Sequence, residues 1–225
     1  VGGGMWEKAT IQDALRCLEQ GENAVKTYDF GSELTAAGIH CTGMLTVFIE
    51  CCRADRPQLV VVGGGHVGAA VIRAAREIGF FVTLVDTRGE LEIGPSMEMA
   101  DRFLPVPRFG DVAALPLPAG AFYVVSTYGH QVDGEALYGV LQQKSPAYIG
   151  MLGSTKKVAA IFSQLEKRGI SRETLEGIHS PIGLDLGGET PEELAVAIVA
   201  EILAVKNGRT GVSLSVRRKE RPAEA

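Results

Sequence analysis

The central and C-terminal parts of the chain alternate between short, continuous apolar runs and stretches in which apolar residues recur every three or four positions. Short apolar runs bounded by turn residues are typical of buried strands, and the three-to-four spacing is typical of helices that pack on a sheet. The order of these segments predicts an α/β fold with a doubly wound, mostly parallel sheet. The predicted strands are 59–62, 80–85, 122–126 and 147–151, with a weaker one around Phe103, Leu104 and Val106, and the predicted helices are about 66–77, 135–143, and those that follow Ser154 and Thr190.

The first fifty residues follow a different pattern. Apolar residues at helical spacing predict a helix at 6–20, and β-branched and aromatic residues predict short strands at 24–30 and 44–50. Since the chain opens on VGGG rather than on Met, we expect a part of this unit to precede it. The predicted organisation is a small N-terminal α+β domain at 1–53, a Rossmann domain at 57–208 and a tail at 209–225.

A glycine-rich turn, GGGHVG, joins the strand at 59–62 to the helix that begins at His66. Gly63 allows a sharp turn, Gly65 lets a phosphate approach the backbone, and Gly68 lets the helix pack close to the sheet. The free amides and the dipole at the helix start favour an anion, so we expect a diphosphate there. We assign Gly63, Gly65, His66 and Gly68 to cofactor binding; the alternative is that these glycines serve packing alone.

An acid stands where this kind of unit places its ribose ligand. Asp86 ends the second strand, 23 residues after Gly63, and we expect it to accept hydrogen bonds from ribose hydroxyls. Such a contact favours an unphosphorylated ribose, although Arg88, two residues on, leaves that preference open. Asp86 therefore joins the predicted cofactor-binding residues.

Two further strand ends carry polar residues, and loops at the carboxyl ends of parallel strands form the ligand crevice of such sheets. The sequence TYGHQVDG follows the strand at 122–126, so Thr127, Tyr128 and His130 are expected near a ligand; the alternative for His130 is a loop histidine in water.

The sequence LGSTKK follows the strand at 147–151, and Ser154 is expected to cap the next helix. Lys156 and Lys157 then occupy its first turn, where the dipole disfavours cations, which suggests a bound anion rather than two solvated lysines. We assign Thr127, Gly153, Ser154 and Lys156 to cofactor binding.

Composition narrows the class of protein. With 27 acidic and 22 basic residues the net charge is −5, which gives no electrostatic support for nucleic-acid binding. No apolar run approaches the roughly 20 residues that span a bilayer, and no signal peptide is visible, so we expect a cytoplasmic protein without membrane contacts. The four cysteines are expected to be reduced: Cys17, Cys41, Cys51 and Cys52.

The segments YIGMLGSTKK and PIGLDLGGETPEELAVAIVAEI, downstream of VVVGGGHVG, resemble the Rossmann domain of the xanthine dehydrogenase accessory protein family, XdhC/CoxI. The segments VGGGMWE and GIHCTGMLTVFIE resemble the second half of the small N-terminal domain of that family. The resemblance implies a protein that binds molybdenum cofactor, keeps it while a cysteine desulfurase supplies the terminal sulfide, and inserts it into a molybdenum hydroxylase such as xanthine dehydrogenase.

The same resemblance assigns two chemical roles. Cys41 matches the family's cysteine in a Cys-Gly-Gly motif and is the candidate molybdenum ligand or sulfur acceptor; the alternative is a packed or incidental cysteine. His130 matches a second, looser histidine and is a candidate catalytic residue. Three positions depart from the family pattern: Met5 stands for a cysteine, Thr42 for a glycine and Tyr128 for a histidine.

Two other functions remain open on the sequence. The glycine motif with Asp86 also fits an NAD-dependent oxidoreductase, or a regulatory module that senses nucleotides, so NAD(H) is a further candidate ligand. The sequence favours a cofactor-binding chaperone over a self-sufficient oxidoreductase because it shows no second domain for an ordinary substrate pocket. We also expect a homodimer.

Overall fold

A computed structural model of the chain describes residues 5–20, 22–29, 44–51 and 56–215. The chain divides into two compact units, Val1–Asp55 and Arg56–Ala225, and each is described by itself. Among the helices described, none is long and apolar enough to cross a membrane.

The N-terminal unit combines one helix with a two-stranded antiparallel sheet. Helix α1 spans Met5–Gln20, and strands β1 (Ala24–Asp29) and β2 (Met44–Ile49) pair from Ala24 opposite Ile49 to Asp29 opposite Met44. The hydroxyl of Tyr28 on β1 donates to Asp13 on α1 at 2.8 Å, so a hydrogen bond ties the sheet to the helix. The predicted helix and both strands are confirmed within one residue at each end. His40 and Cys41 lie outside the described residues.

The C-terminal unit is a five-stranded parallel sheet in the order β5-β4-β3-β6-β7. Its strands are β3 (Gln58–Val62), β4 (Phe81–Asp86), β5 (Arg102–Pro105), β6 (Phe122–Val125) and β7 (Tyr148–Met151). Its helices are α2 (His66–Glu77), α3 (Glu90–Met99), a 3₁₀ helix (Phe109–Ala114), α4 (His130–Leu141), α5 (Thr155–Lys167), α6 (Arg172–Glu176) and α7 (Pro191–Lys206).

Both faces of the sheet are buried, which is why its strands read as continuous apolar runs rather than alternating ones. Val60 and Val62 of β3 face a core that includes Leu137 of α4 and Ile161 of α5. Leu59 and Val61, one position out of phase, face a second core under α2 and α7. The predicted doubly wound parallel sheet is confirmed.

The prediction was wrong about the start of α4 and did not include three elements. Helix α4 begins at His130, five residues before the predicted start, so His130 opens a helix and does not lie in a loop. The early turn escaped detection because Gly129 and Gly134 interrupt the apolar pattern. Helix α3 was not predicted because Pro95 lies inside it and Ile93 leaves helical geometry, which removes the regular spacing; the 3₁₀ helix and α6 are each too short for a periodic signal.

Candidate functional site

The strand order places one natural crevice in the C-terminal unit. β3 and β6 are neighbours in the sheet, and the chain leaves β3 toward β4 on one side while β6 continues to β7 on the other. Ligands of open α/β sheets bind outside the carboxyl ends of the strands at such a switch point. The glycine turn after β3 and Thr127 after β6 both lie there.

The glycine turn is pressed against the end of β6. Gly63 has φ +107°, and a Cβ on it would lie 2.5 Å from the carbonyl oxygen of Ser126. A Cβ on Gly68 would lie 2.0 Å from the carbonyl oxygen of Gly63, and the Ser126 hydroxyl donates to that same oxygen at 2.9 Å. Since backbone atoms cannot yield as a side-chain end can, both positions require glycine.

The start of α2 has the properties of an anion site. The first amide groups of a helix have no partner within the helix, and no described side chain caps this one at Gly65. A Cβ built on Gly65 would meet no atom of the described residues within 4 Å, so these residues leave the space over the amides open, and His66 beside it is exposed. The amides and the helix dipole can therefore hold a phosphate group at this point.

Asp86 is fully buried, and its carboxylate is already engaged. It accepts hydrogen bonds from the backbone amides of Gly64 (2.7 Å) and Arg88 (2.9 Å), and from the Arg88 side chain through Nε (3.0 Å) and Nη2 (2.8 Å). Burial alone would raise the pKa of Asp86, but the hydrogen bonds from Arg88 and Gly64 and the Arg88 charge outweigh it, so the pKa lies below its ordinary value. A ribose hydroxyl would have to displace one of these donors.

A second buried aspartate lies at the other side of the crevice. Asp133, in the first turn of α4, is fully buried; it accepts a hydrogen bond from the Thr127 hydroxyl and forms an ion pair with the Lys157 ammonium group. Lys157 retains 18% side-chain exposure. This triad of Thr127, Asp133 and Lys157 joins the end of β6, the start of α4 and the start of α5.

The start of α5 explains the lysine. Ser154 is the N-cap, as predicted, and its hydroxyl accepts the amide of Lys157 at 3.4 Å. A Cβ on Gly153 would lie 3.2 Å from Cδ of Lys157, so the missing side chain leaves room for the Lys157 stem. Lys156, the predicted anion ligand, is exposed, whereas Lys157 belongs to the triad.

A small pocket of about 280 Å³ lies at the same edge of the sheet, after β4, β5 and β6. Tyr128 is 63% exposed; its ring lies edge-on to Phe109, with centroids 6.0 Å apart, and the Arg88 guanidinium lies over it at 5.3 Å from the centroid. We call this cavity the Tyr128 pocket. The residues that line it include Thr87, Pro107, Phe109, Tyr128, Val132 and Glu135.

The segment at 181–188 (PIGLDLGG) and the last helix, α7, are held to the edge of the sheet by one carboxylate. Glu201 of α7 accepts hydrogen bonds from the Tyr148 hydroxyl at 2.5 Å and the Gly183 amide at 3.0 Å, and it lies 3.3 Å from Nδ1 of His179. The backbone of His179 forms an isolated parallel β-bridge with Gly150 of β7. Burial, with the neighbouring Glu201 carboxylate, raises the pKa of Tyr148. This carboxylate clamps the segment and α7 to the edge of the sheet.

The structure brings some predicted residues together and places others apart. Gly63, Gly65, Gly68, Thr127 and Gly153 lie at the carboxyl edge of the sheet. The side chain of His130 and all of Cys41 lie outside the part of the chain that is described, and among the residues described no cluster of three or more His, Cys, Asp or Glu is arranged to hold a metal ion. Sequence reasoning placed Tyr128 near a ligand but did not identify the pocket that it lines. It missed Asp133, because the helix was predicted to begin at residue 135 and Asp133 lies before that start.

Comparison with known proteins agrees with the fold of the C-terminal unit. The profile of the XdhC Rossmann domain matches residues 59–202. The chain is 33% identical over 216 residues to the uncharacterized protein YqeB of Escherichia coli (strain K12), which covers 94% of this chain and 39% of that protein. It is 28% identical over 206 residues to a probable xanthine dehydrogenase subunit of Bacillus subtilis (strain 168), which covers 90% of this chain and 54% of that protein.

A solved structure shares the fold. A Bacillus halodurans protein, BH1974, whose crystal structure is described as that of a xanthine dehydrogenase, superposes with a TM-score of 0.56 at 18% identity, over 93% of this chain and 83% of that one. The chain spans 39% and 54% of the lengths of its two curated relatives, so it corresponds to a part of each. Because the XdhC Rossmann domain profile matches residues 59–202, this chain belongs to the XdhC family, and its C-terminal unit contains the XdhC Rossmann domain.

Proposed function

We propose that this chain is a maturation factor that binds molybdenum cofactor and delivers it to a molybdenum hydroxylase of the xanthine dehydrogenase type. The observation that carries the proposal is the open, uncapped start of α2 at Gly65, which lies in the same crevice as Thr127 and Lys157. Membership of the XdhC family and the name of the Bacillus subtilis relative support the choice of client.

The described residues fit the anionic part of that cargo. Molybdenum cofactor carries a phosphate on a pterin, and the α2 amides offer donors in a space that no side chain of the described residues fills. Lys157 adds a positive charge on the opposite wall, held at Asp133 until an anion competes for it. Once delivered, the cofactor supplies the molybdenum centre of the client enzyme; this chain's own part is to bind, orient and release it.

Roles for Cys41 and His130 enter the proposal on family resemblance. We assign to Cys41 contact with the molybdenum end, where a soft thiolate suits the metal and its sulfide, and to His130 a role in catalysis. A cysteine desulfurase and a second copy of this chain are the proposed partners besides the client hydroxylase.

Gly65→Val tests the phosphate cradle without disturbing the fold, because a Cβ there meets no described atom within 4 Å and the Gly65 φ of −69° suits any residue. Protein purified from molybdenum-replete cells should retain a pterin, bind molybdenum cofactor in anaerobic titration and activate a client apoenzyme. Gly65→Val should lose all three with an unchanged melting temperature. The matched control is Gly89→Val at the start of α3, where a Cβ is equally free; it should retain cofactor binding.

The rival functions give different results in the same titration. An NAD-dependent oxidoreductase should bind NAD⁺ at the glycine turn and transfer hydride by itself, and a nucleotide sensor should bind NAD⁺ and NADH with different affinities. Either result, together with no binding of molybdenum cofactor, would replace the proposal. The donors already engaged on Asp86 make weak NAD⁺ binding the expected outcome.

A further inference from the structure

We propose that the Tyr128 pocket is the ring subsite of the same ligand, and that it selects a bicyclic heteroaromatic ring with an amino group beside a ring N–H, as in guanine and pterin. The inference rests on the proposed function and names the part of the ligand that the pocket recognises.

The pocket offers an aromatic wall to a planar ring. Tyr128 keeps 63% of its surface exposed, and Phe109, which is buried, holds it from the edge with the two planes at 66°. Pro107 and Val132 complete the apolar lining. An exposed, supported aromatic face is a stacking platform for a heteroaromatic ring.

The pocket is linked to the phosphate cradle by a chain of direct contacts. The Gly64 amide donates to Asp86, Asp86 holds the Arg88 guanidinium, and that guanidinium lies over the Tyr128 ring. One ligand can therefore place its phosphate at the start of α2 and its ring in the pocket. Both oxygens of Asp86 are occupied by these contacts. A vicinal diol in the part of the ligand between phosphate and ring would therefore gain little from hydrogen bonds to Asp86.

The polar edge of the pocket determines which ring fits. Besides Glu135, the polar residues that line the pocket are Thr87, Arg108 and Gln131. Arg108 is paired with Asp111 at 3.0 Å, and a hydroxyl or an amide can both donate and accept, so Glu135 is the group that discriminates between rings. Its Oε1 accepts a hydrogen bond from Nη1 of Arg168 at 2.9 Å, which positions the carboxylate. Its Oε2 accepts no hydrogen bond from the part of the chain that the structure describes. A carboxylate only accepts hydrogen bonds, so it suits the N–H and amino pair of guanine or pterin and opposes the acceptor nitrogen that adenine presents on the same edge.

Guanosine 5′-monophosphate and adenosine 5′-monophosphate are matched probes, since they share sugar and phosphate and differ in the ring. Calorimetric titration of the full chain should give a dissociation constant about tenfold lower for the guanine nucleotide. Glu135→Gln should remove that preference by weakening guanine binding, with adenine binding unchanged. The control is Glu176→Gln, which alters an exposed carboxylate paired with Arg172 outside the crevice; it should bind both nucleotides as the wild type does.

Equal affinity for the two nucleotides, or an equal loss of both in Glu135→Gln, would overturn the subsite. Melting temperatures of the variants keep the test valid, since Glu135 is 58% exposed and its replacement should leave the fold intact. The two proposals fail separately. Cofactor binding that Glu135→Gln leaves unchanged rejects the ring subsite alone, and guanine selectivity in a chain that binds no molybdenum cofactor rejects the proposed function alone.

Discussion

Two buried aspartates flank the crevice, and they are held in different ways. Asp86 receives two backbone amides and the two-pronged fork of Arg88, whereas Asp133 receives one hydroxyl from Thr127 and the point charge of Lys157. Both carboxylates are fully buried. The difference lies in the partners, since an arginine fork fixes a carboxylate in one geometry and an ammonium group on a flexible stem does not.

The exposures of the two cations show that burial does not explain the contrast. Arg88 is 23% and Lys157 18% exposed, so water reaches both to a similar extent. Asp86 fixes the glycine turn through the Gly64 amide, while Asp133 keeps a lysine beside the anion site. We infer that the first is a fixed structural pair and the second is exchangeable when an anion binds.

Asp86→Asn should have the largest effect on stability. Asparagine cannot accept all four hydrogen bonds and leaves Arg88 without its counter-charge, so we expect a loss of about 3–5 kcal/mol in the free energy of unfolding at pH 7. Urea unfolding followed by circular dichroism measures it. The same loss in Asp133→Asn would contradict the distinction between a fixed and an exchangeable pair; we expect a smaller one there.

The pH dependence of that difference follows from the lowered pKa of Asp86. A carboxylate with a depressed pKa stabilises the folded state above its unfolded value near pH 4, and this contribution is lost as the pH falls through the folded-state value. The gap between wild type and Asp86→Asn should therefore be full at pH 7 and narrow below about pH 4. A gap that stays constant down to pH 3 would show that the Asp86 charge contributes nothing.

Lys157→Met should cost less stability but more anion affinity. It removes the cation from buried Asp133 while the Thr127 hydroxyl stays, so we expect a loss of about 3 kcal/mol, at the lower end of the range for Asp86→Asn. Affinity for inorganic pyrophosphate, measured by calorimetry, should fall about tenfold or more. The matched control is Lys156→Met, one residue away and exposed, which should change neither quantity; an equal loss of affinity in both variants would show that the lysines act only as surface charge.

The sequence predicted structure best where the conformation of a residue depends on its neighbours in the chain or on burial alone. The strands of the sheet were predictable because burial on both faces makes them mostly apolar. The start of α7 after Thr190 was predictable because its signal is local: Thr190 and Glu193 form a capping box, in which each side chain accepts a backbone amide of the other residue. Glycine positions were predictable for the same reason: Gly63 and Gly68 are needed by the turn itself.

The site was less predictable because it depends on contacts between distant segments. Nothing in TYGHQVDG shows that Asp133 pairs with Lys157. Lys157 lies on the next helix, and its side chain reaches Asp133 by passing close to Gly153. Asp86 has the spacing of a ribose ligand, yet Arg88, two residues on, takes up its carboxylate in the folded chain. Pattern reasoning identified the residue types and the edge of the sheet, but the partners required the fold.

A third buried polar group sharpens the comparison because it has no partner. Within the described residues, the hydroxyl of Tyr123 on β6 forms no hydrogen bond, and burial raises its pKa to about 12. Tyr123→Phe should therefore increase the free energy of unfolding by about 1 kcal/mol at pH 7. The gain should widen between about pH 10 and 12, where the unfolded wild type ionises and the folded one does not. A loss of stability on urea unfolding would indicate that the hydroxyl has a partner, such as an internal water.

Gly153→Ala should have the smallest effect on stability and separates geometry from charge at the exchangeable pair. The added Cβ would lie 3.2 Å from Cδ of Lys157, a side-chain atom that can move by a few tenths of an ångström, so we expect less than about 1 kcal/mol of destabilisation. The shift should nevertheless carry the ammonium group away from Asp133 and weaken pyrophosphate binding, by less than Lys157→Met does. The double variant Gly153→Ala with Lys157→Met provides the decisive measurement. If Gly153 acts through the lysine, the alanine adds no further loss once the lysine is gone, and an additive loss would mean that Gly153 contacts the anion through its own backbone.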